Sequence, residues 1–257
     1  MNDEAPSFSL EGNRALVTAS GRGLGRAIAV ALAQAGADVA LGLRVSDSAT
    51  ATVAAIEALG RRAVPLQMDM ASLSEIREAV ALATRTFGGL DILVNNAGIA
   101  RVCNAESVSV EDFDATLDIN LKGTFFASQA AMTTMREQGY GRIINIGSQA
   151  GLVALPGESV YCMTKAAIAH LTKCLAVEWG QYGITVNCVA PTFIETPGTQ
   201  AALGDPAFRA DVIERIAALH RIGRPSDVTG AVVFLASPAA SLITGSTITV
   251  DGGWTAR

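Results

Sequence analysis

Tyr161 and Lys165 stand four residues apart at the start of a helix-forming run that reaches Tyr182, and Ser148 lies thirteen positions upstream. On a helix, residues four apart share a face, so the ammonium can sit beside the phenol. A free tyrosine titrates near pH ~10, too high for a proton donor or acceptor working near neutrality. A neighbouring cation favours the phenolate and lowers that value, which makes the pair suited to acid–base work. Two exposed helix residues in ordinary contact would show the same spacing, so the surrounding elements must decide.

Those elements follow a regular alternation. Arg14–Thr18 reads as a buried strand and Leu24–Ala35 as an alanine-rich helix, with Ala19-Ser20-Gly21-Arg22-Gly23-Leu24-Gly25 between them. Glycines at a strand-to-helix turn let the backbone approach a pyrophosphate, and the helix N-terminus offers unpaired N–H groups; a glycine-rich turn without a ligand is the alternative. The second strand, Asp38–Leu43, ends in Arg44 without a carboxylate at its tip. An acidic residue there suits the ribose of NAD, whereas an arginine suits the 2′-phosphate of NADP. Arg44 and Arg22 can thus form a cationic clamp or remain solvated surface residues; Asp47 is a possible displaced ribose acceptor.

Further strand–helix units follow: Ala63–Gln67 with 72–87, then Leu90–Asn95 ending in Asn95-Asn96-Ala97-Gly98. Val110–Glu137 reads as one long apolar helix with Asn120 in its middle, either a distorting core residue or a site residue. Arg142–Gly147 delivers Ser148 at its carboxyl end, Ile184–Val189 runs into 190–197, and Thr247–Val250 closes the series. The pattern predicts an α/β fold: one domain over residues 1–257, a doubly wound, seven-stranded parallel sheet with helices on both faces. Ligands in such sheets bind at the strands' carboxyl ends, the edge that carries the glycine loop, Asp69 and Asn96-Ala97-Gly98. Residues 198–221 are polar and helix-prone, a candidate substrate lid.

Composition limits the partners. With 257 residues, 50% hydrophobic, and a formal charge of −5, the chain lacks the basic face of a sequence-independent nucleic-acid binder and does not favour an acidic carrier protein. No basic, apolar leader opens it and no apolar run approaches the roughly 20 residues of a membrane helix, so cytoplasmic residence without membrane contact is expected. Cys103, Cys162, Cys174 and Cys188 form no C-x-x-C pair and are expected to be reduced and mostly buried, with Cys162 beside Tyr161 the one open to thiol reagents. With two histidines and no Cys/His cluster, no metal site is expected.

Taken together, Thr18-Ala-Ser-Gly-Arg-Gly-Leu-Gly25, Asp69, Asn95 to Gly98, Asn120, Ser148, Tyr161-x-x-x-Lys165, Asn187 and the segment from Pro191 to Thr196 resemble the short-chain dehydrogenase/reductase family across nearly the whole chain. That resemblance implies a Rossmann fold moving a hydride between a nicotinamide dinucleotide and a carbonyl carbon. It implies that Tyr161 is the general acid or base, that Lys165 lowers its pKa and binds the nicotinamide ribose, and that Ser148 holds the substrate oxygen. Asn120 would position a water linking Lys165 to solvent. The cofactor would be lined by Thr18, Ser20, Arg22, Gly23, Leu24 and Gly25 in the loop, by Arg44, by Asp69 and Met70 near the adenine, and by Asn96, Ala97 and Gly98. Pro191, Ile194 and Thr196 would border the nicotinamide. NADP is the expected cofactor, with NAD possible, and a homotetramer built through the helices after the fourth and fifth strands is the expected assembly.

Two positions depart from the family pattern. Ala19 replaces the first glycine of the turn, which calls for slight loop adjustment provided its φ is negative. Thr192 replaces the glycine that usually follows the proline. Gln149, Glu158, Thr192 and Glu195 lie where a substrate pocket can form and would suit a hydroxylated small molecule; Glu158 and Glu195 can equally be rim charges. Resembling members act on sugar acids and polyols, as gluconate 5-dehydrogenase does, or on 3-oxoacyl carrier-protein thioesters. Val177, where the thioester reductases tend to carry a basic residue, points to the first group. A catalytically silent NADP-binding regulator is the alternative of another class.

Overall fold

Most strands of this chain are apolar runs with little alternation, the pattern of strands covered on both faces. They are Arg14–Thr18 (β1), Asp38–Leu43 (β2), Ala63–Gln67 (β3), Ile92–Asn95 (β4), Gly141–Ile146 (β5), Ile184–Pro191 (β6) and Thr247–Val250 (β7). The computed structural model describes residues 6–45 and 49–256, and these form a seven-stranded sheet in the order β3-β2-β1-β4-β5-β6-β7, every pair parallel. The edge strands β3 and β7 are the least buried.

Parallel pairing requires crossovers, and helices supply them. In chain order these are Gly23–Gln34 (α1), Thr50–Glu57 (α2), Leu73–Phe87 (α3), Val110–Leu117 (α4), Gly123–Gln138 (α5), Ser159–Trp179 (α6), Gln200–Leu203 (α7), Pro206–Arg215 (α8) and Pro225–Ala236 (α9). Because side chains alternate across a strand, Val17 faces the layer of α1, α2 and α9, while Leu16 faces that of α3, α5 and α6. A smaller apolar cluster, with Leu203, Val212, Ile216, Ile222 and Trp254, seats α7 and α8 beyond the sheet's carboxyl edge.

From β1 the chain winds outward through β2 and β3, then returns to place β4 on the other side of β1. The carboxyl ends of β1 and β4 therefore diverge into a crevice, the switch point where doubly wound sheets take ligands.

Several boundaries differ from the sequence pattern. The stretch expected as one helix over Val110–Glu137 is interrupted by a wide π turn, Asp118–Lys122, with Asn120 at its centre. Strand β4 starts at Ile92, because Asp91 belongs to a lead-in where its carboxylate receives the Arg14 guanidinium at 2.6 and 2.7 Å. Strand β6 runs on to Pro191, carried by pairing with β7. The cysteines are also less buried than expected: only Cys188 is buried, Cys103 and Cys162 are intermediate, and Cys174 is exposed on α6. Asp47 lies outside the described residues.

Candidate active site

Strand β5 ends one residue before Gly147, and Ser148 follows in extended conformation at the head of a short 3-10 turn. Its hydroxyl accepts the Ala150 N–H at 3.1 Å and donates to Gln149 Oε1 at 2.9 Å. Helix α6 then returns alongside, bringing Tyr161 and Lys165 to the same edge. A cavity of about 420 Å³ opens there, lined by Ser148, Gln149, Glu158, Tyr161 and Lys165 together with Leu24, Asn96 and Gly98 from the switch point. Residues distant in sequence thus converge on one cleft.

The Tyr161–Lys165 geometry differs from a simple ion-assisted phenol. The Lys165 ammonium lies 5.6 Å from the Tyr161 ring centroid and donates to the Ile146 carbonyl at 2.8 Å. Burial pushes the phenol up to about 12; Ser148 pulls it down, while the Glu158 and Cys162 charges push it further up. The lowering expected from Lys165 is not among the influences on the phenol, whose shift is set chiefly by desolvation. Lys165 itself is brought down to about 8 by burial, opposed by the buried Cys188 thiol. It therefore remains cationic at neutral pH and titrates close to it.

Asn120 owes its place to the π turn, a wide turn common at functional sites. Its amide receives the Ile99 N–H at 2.8 Å and donates to the Ile99 carbonyl at 2.9 Å and to Thr164 Oγ1 at 3.1 Å. The side chain is thereby spent on clamping the loop after β4 to α6, rather than reaching Lys165 directly. Gly98 is held close: a β-carbon there would lie 3.4 Å from Lys165 Nζ and 3.5 Å from Asn120 Oδ1.

At the other side of the crevice, the β1–α1 loop is drawn tight. Thr18 is fully buried, and its hydroxyl accepts the N–H groups of Asn96 and Ala97 at 2.9 and 3.0 Å, tying β1 to β4. A β-carbon on Gly25 would run into the Ala19 carbonyl and the Asn96 amide, so only glycine lets α1 start here. Ala19 has φ +54, the left-handed region, so the condition on which only a slight loop adjustment is expected is not met. Its conformation follows the crowding of that turn and costs an alanine about 1–2 kcal/mol.

The other expected positions divide into two groups. Pro191, Thr192, Ile194 and Thr196 line the cleft on the chain leaving β6, and Thr192 Oγ1 is buried without a partner among the described residues. Arg22 and Arg44 are exposed, Asp69 is half-buried with its carboxylate on the Ala71 N–H, and Met70 is buried beneath Gly123; none of these lines the cavity. Glu195 stands on the rim, paired with Arg209 at 2.8 Å. Sequence reasoning missed Val102, Leu155, Phe193, Thr199 and Ala202, which also line the cleft. Their types carry no chemical signature; Thr199 alone, three residues after Thr196 and hydrogen-bonded to it, offered a polar pattern.

The loop fits a dinucleotide on two counts: Gly25 admits no side chain, and the buried Ser20 hydroxyl has no partner among the described residues. Among those residues no helix is long and apolar enough to cross a membrane.

Known proteins resemble this chain over nearly its whole length. A family model described as enoyl-(acyl carrier protein) reductase matches residues 18–255. The chain is 41% identical over 255 residues to 2-dehydro-3-deoxy-D-gluconate 5-dehydrogenase of Escherichia coli, covering 98% of both chains. It is 38% identical to D-threitol dehydrogenase of Mycolicibacterium smegmatis, covering 97% of this chain and 95% of that one. Among solved structures, a gluconate 5-dehydrogenase from Burkholderia cenocepacia, in complex with NADP and tartrate, superposes with a TM-score of 0.94 at 36% identity, with 98% of each chain covered.

Proposed function

Since this chain belongs to the short-chain dehydrogenase/reductase family, we propose that it is an NADP-dependent oxidoreductase interconverting a secondary alcohol and a ketone, with a sugar-acid or polyol-like substrate. The observation that carries this reading is the convergence of Ser148, Tyr161 and Lys165 on one cleft with Asn96 and Gly98 of the switch-point edge. When bound, the nicotinamide supplies or accepts the hydride.

The protein's own residues do the rest. Ser148 turns its hydroxyl from Gln149 to the substrate oxygen and orients it. Tyr161, protonated at neutral pH, gives its proton to that oxygen as it becomes an alkoxide, a far stronger base than a phenolate, and takes it back in oxidation. Lys165 is cationic beside it, stabilises the charge that develops and binds ribose hydroxyls. Asn120 acts as a positioning residue through Ile99 and Thr164. The glycine loop 19–25 and Gly98 hold the dinucleotide, with Asp69 and Met70 toward its adenine and Thr196 toward its carboxamide. Arg44 and Arg22 receive the 2′-phosphate. Neither guanidinium has a partner among the described residues, which leaves both available.

We further propose that residues 1–257 form one domain, with 198–221 its lid, in a cytoplasmic homotetramer. Val110 and Phe113 on α4, Phe125 on α5 and Val177 on α6 are exposed apolar side chains on the helices expected to meet, which supports that assembly. The test is a panel of sugar acids, polyols, their keto forms and β-keto esters with both cofactors, followed by NADPH absorbance. Turnover of a hydroxylated substrate with NADP is expected; turnover confined to β-keto esters contradicts the substrate assignment, and none at all contradicts the enzyme.

A further inference from the structure

Resting on the reading of this cleft as the carbonyl site, we propose that its substrate is a neutral polyhydroxylated alcohol or ketone, and that Glu158 selects it. The Glu158 carboxylate accepts hydrogen bonds from substrate hydroxyls and repels substrates that carry a carboxylate of their own.

Glu158 stands at the N-terminal end of α6, three residues ahead of Tyr161, and lines the cavity. Its side chain caps nothing, is half-buried, and makes no hydrogen bond or ion pair with the described residues. Burial alone pushes its carboxyl up, with no donor or cation to offset the lost hydration. Glu158 lines the same cavity as Tyr161 and Ser148, and its charge also acts on the Tyr161 phenol. A ligand bearing O–H donors supplies the missing partners. A ligand bearing a carboxylate adds a second like charge inside a cavity of about 420 Å³.

Among the described residues no cation in the cleft is free to balance that second charge. Among the described residues of the lining Lys165 is the only cationic one, and its ammonium is buried and already donates to Ile146. Nearby arginines are engaged with other carboxylates, Arg209 with Glu195 at 2.8 Å and Arg101 with Asp112 at 3.5 Å. The buried hydroxyl of Thr192, without a partner among the described residues, adds a neutral group suited to another hydroxyl. Of the remaining lining, Asn96, Gln149, Thr196 and Thr199 are neutral and Val102, Leu155, Phe193 and Ala202 are apolar, so none brings a compensating charge.

The test separates binding from turnover. Xylitol and xylonate, with sorbitol and gluconate as a second pair, are titrated calorimetrically into the enzyme saturated with NADP. The neutral member of each pair should bind about 10- to 100-fold more tightly, the scale of a like-charge contact at intermediate dielectric. Glu158→Gln should bring each pair within a few-fold, and Glu158→Lys should reverse the order, with NADP affinity unchanged in both. The proposal is overturned if the aldonate binds as tightly as its neutral partner, if the order survives both substitutions, or if neither neutral compound binds. Hydride transfer is read on the same samples by absorbance. Its failure while the binding selectivity holds contradicts the catalytic reading alone.

Discussion

Ala19 sits at φ +54 in a turn where Gly25 has no room for a side chain and the Asn96 amide donates to the Thr18 carbonyl at 3.0 Å. A glycine there would relieve the steric cost and lose some of that gain to the freer unfolded chain. Ala19→Gly should therefore raise stability by about 0.5–1 kcal/mol, read as a higher urea midpoint at unchanged slope. Arg44 is the residue on which cofactor choice turns. Arg44→Asp should lower the NADP-to-NAD ratio of kcat/KM by about 10- to 100-fold, the worth of a charge-assisted contact with phosphate; an unchanged ratio would show that Arg44 does not read it. Tyr161, Lys165 and Ser148 were legible in the sequence because their types and spacing define a chemistry. The sign of φ at Ala19 and the Lys165 bond to Ile146 were not, since both depend on backbone atoms that packing brings near.

Among the elements, the strands and most helices follow from apolar runs and glycine breaks, and the register of β6 was the least legible because its extension to Pro191 depends on β7, some 60 residues later. The π turn was hidden for a related reason. Asn120 widens the helix only because Ile99 and Thr164 stand ready to take its amide. Helix α9 shows how an element end can secure a neighbour: Asp227 accepts the Arg224 N–H at 2.7 Å and the two terminal N–H groups of the Arg221 guanidinium at 2.7 and 2.9 Å, fastening the end of 198–221. The Arg221 hydrogen bonds, then the Arg224 N–H, hold the Asp227 carboxyl down to about 2, from an ordinary 3.8. A depressed carboxyl adds stability above its unfolded pKa and loses it as pH falls through the folded one. Asp227→Ala should thus cost about 1 kcal/mol at neutral pH, the size of a lost cap with a screened ion pair. The gap from wild type in denaturant midpoints should close as pH drops from 3.8 toward about 2.

For the molecule as a whole, strand order and helix layers bring the glycine-rich loop, the Tyr161–Lys165 pair and the segment proposed as a lid to one edge of the sheet. The doubly wound arrangement was legible because each strand and helix repeats the same period; the cleft's apolar wall was not, because Phe193, Leu155 and Ala202 look like any core residues until the fold faces them inward. Light scattering should find a tetramer, and a monomer would refute the assembly proposed through α4, α5 and α6. The central claim is hydride transfer governed by Tyr161, and its most direct measurement uses NADPH deuterated at the carbon that delivers hydride. Mass spectrometry of the product should find the deuterium on the carbinol carbon with the wild-type protein. Tyr161→Phe, still binding NADPH, should transfer it about a thousandfold more slowly. Absence of deuterium in the wild-type product, or transfer by Tyr161→Phe at the wild-type rate, would contradict the account.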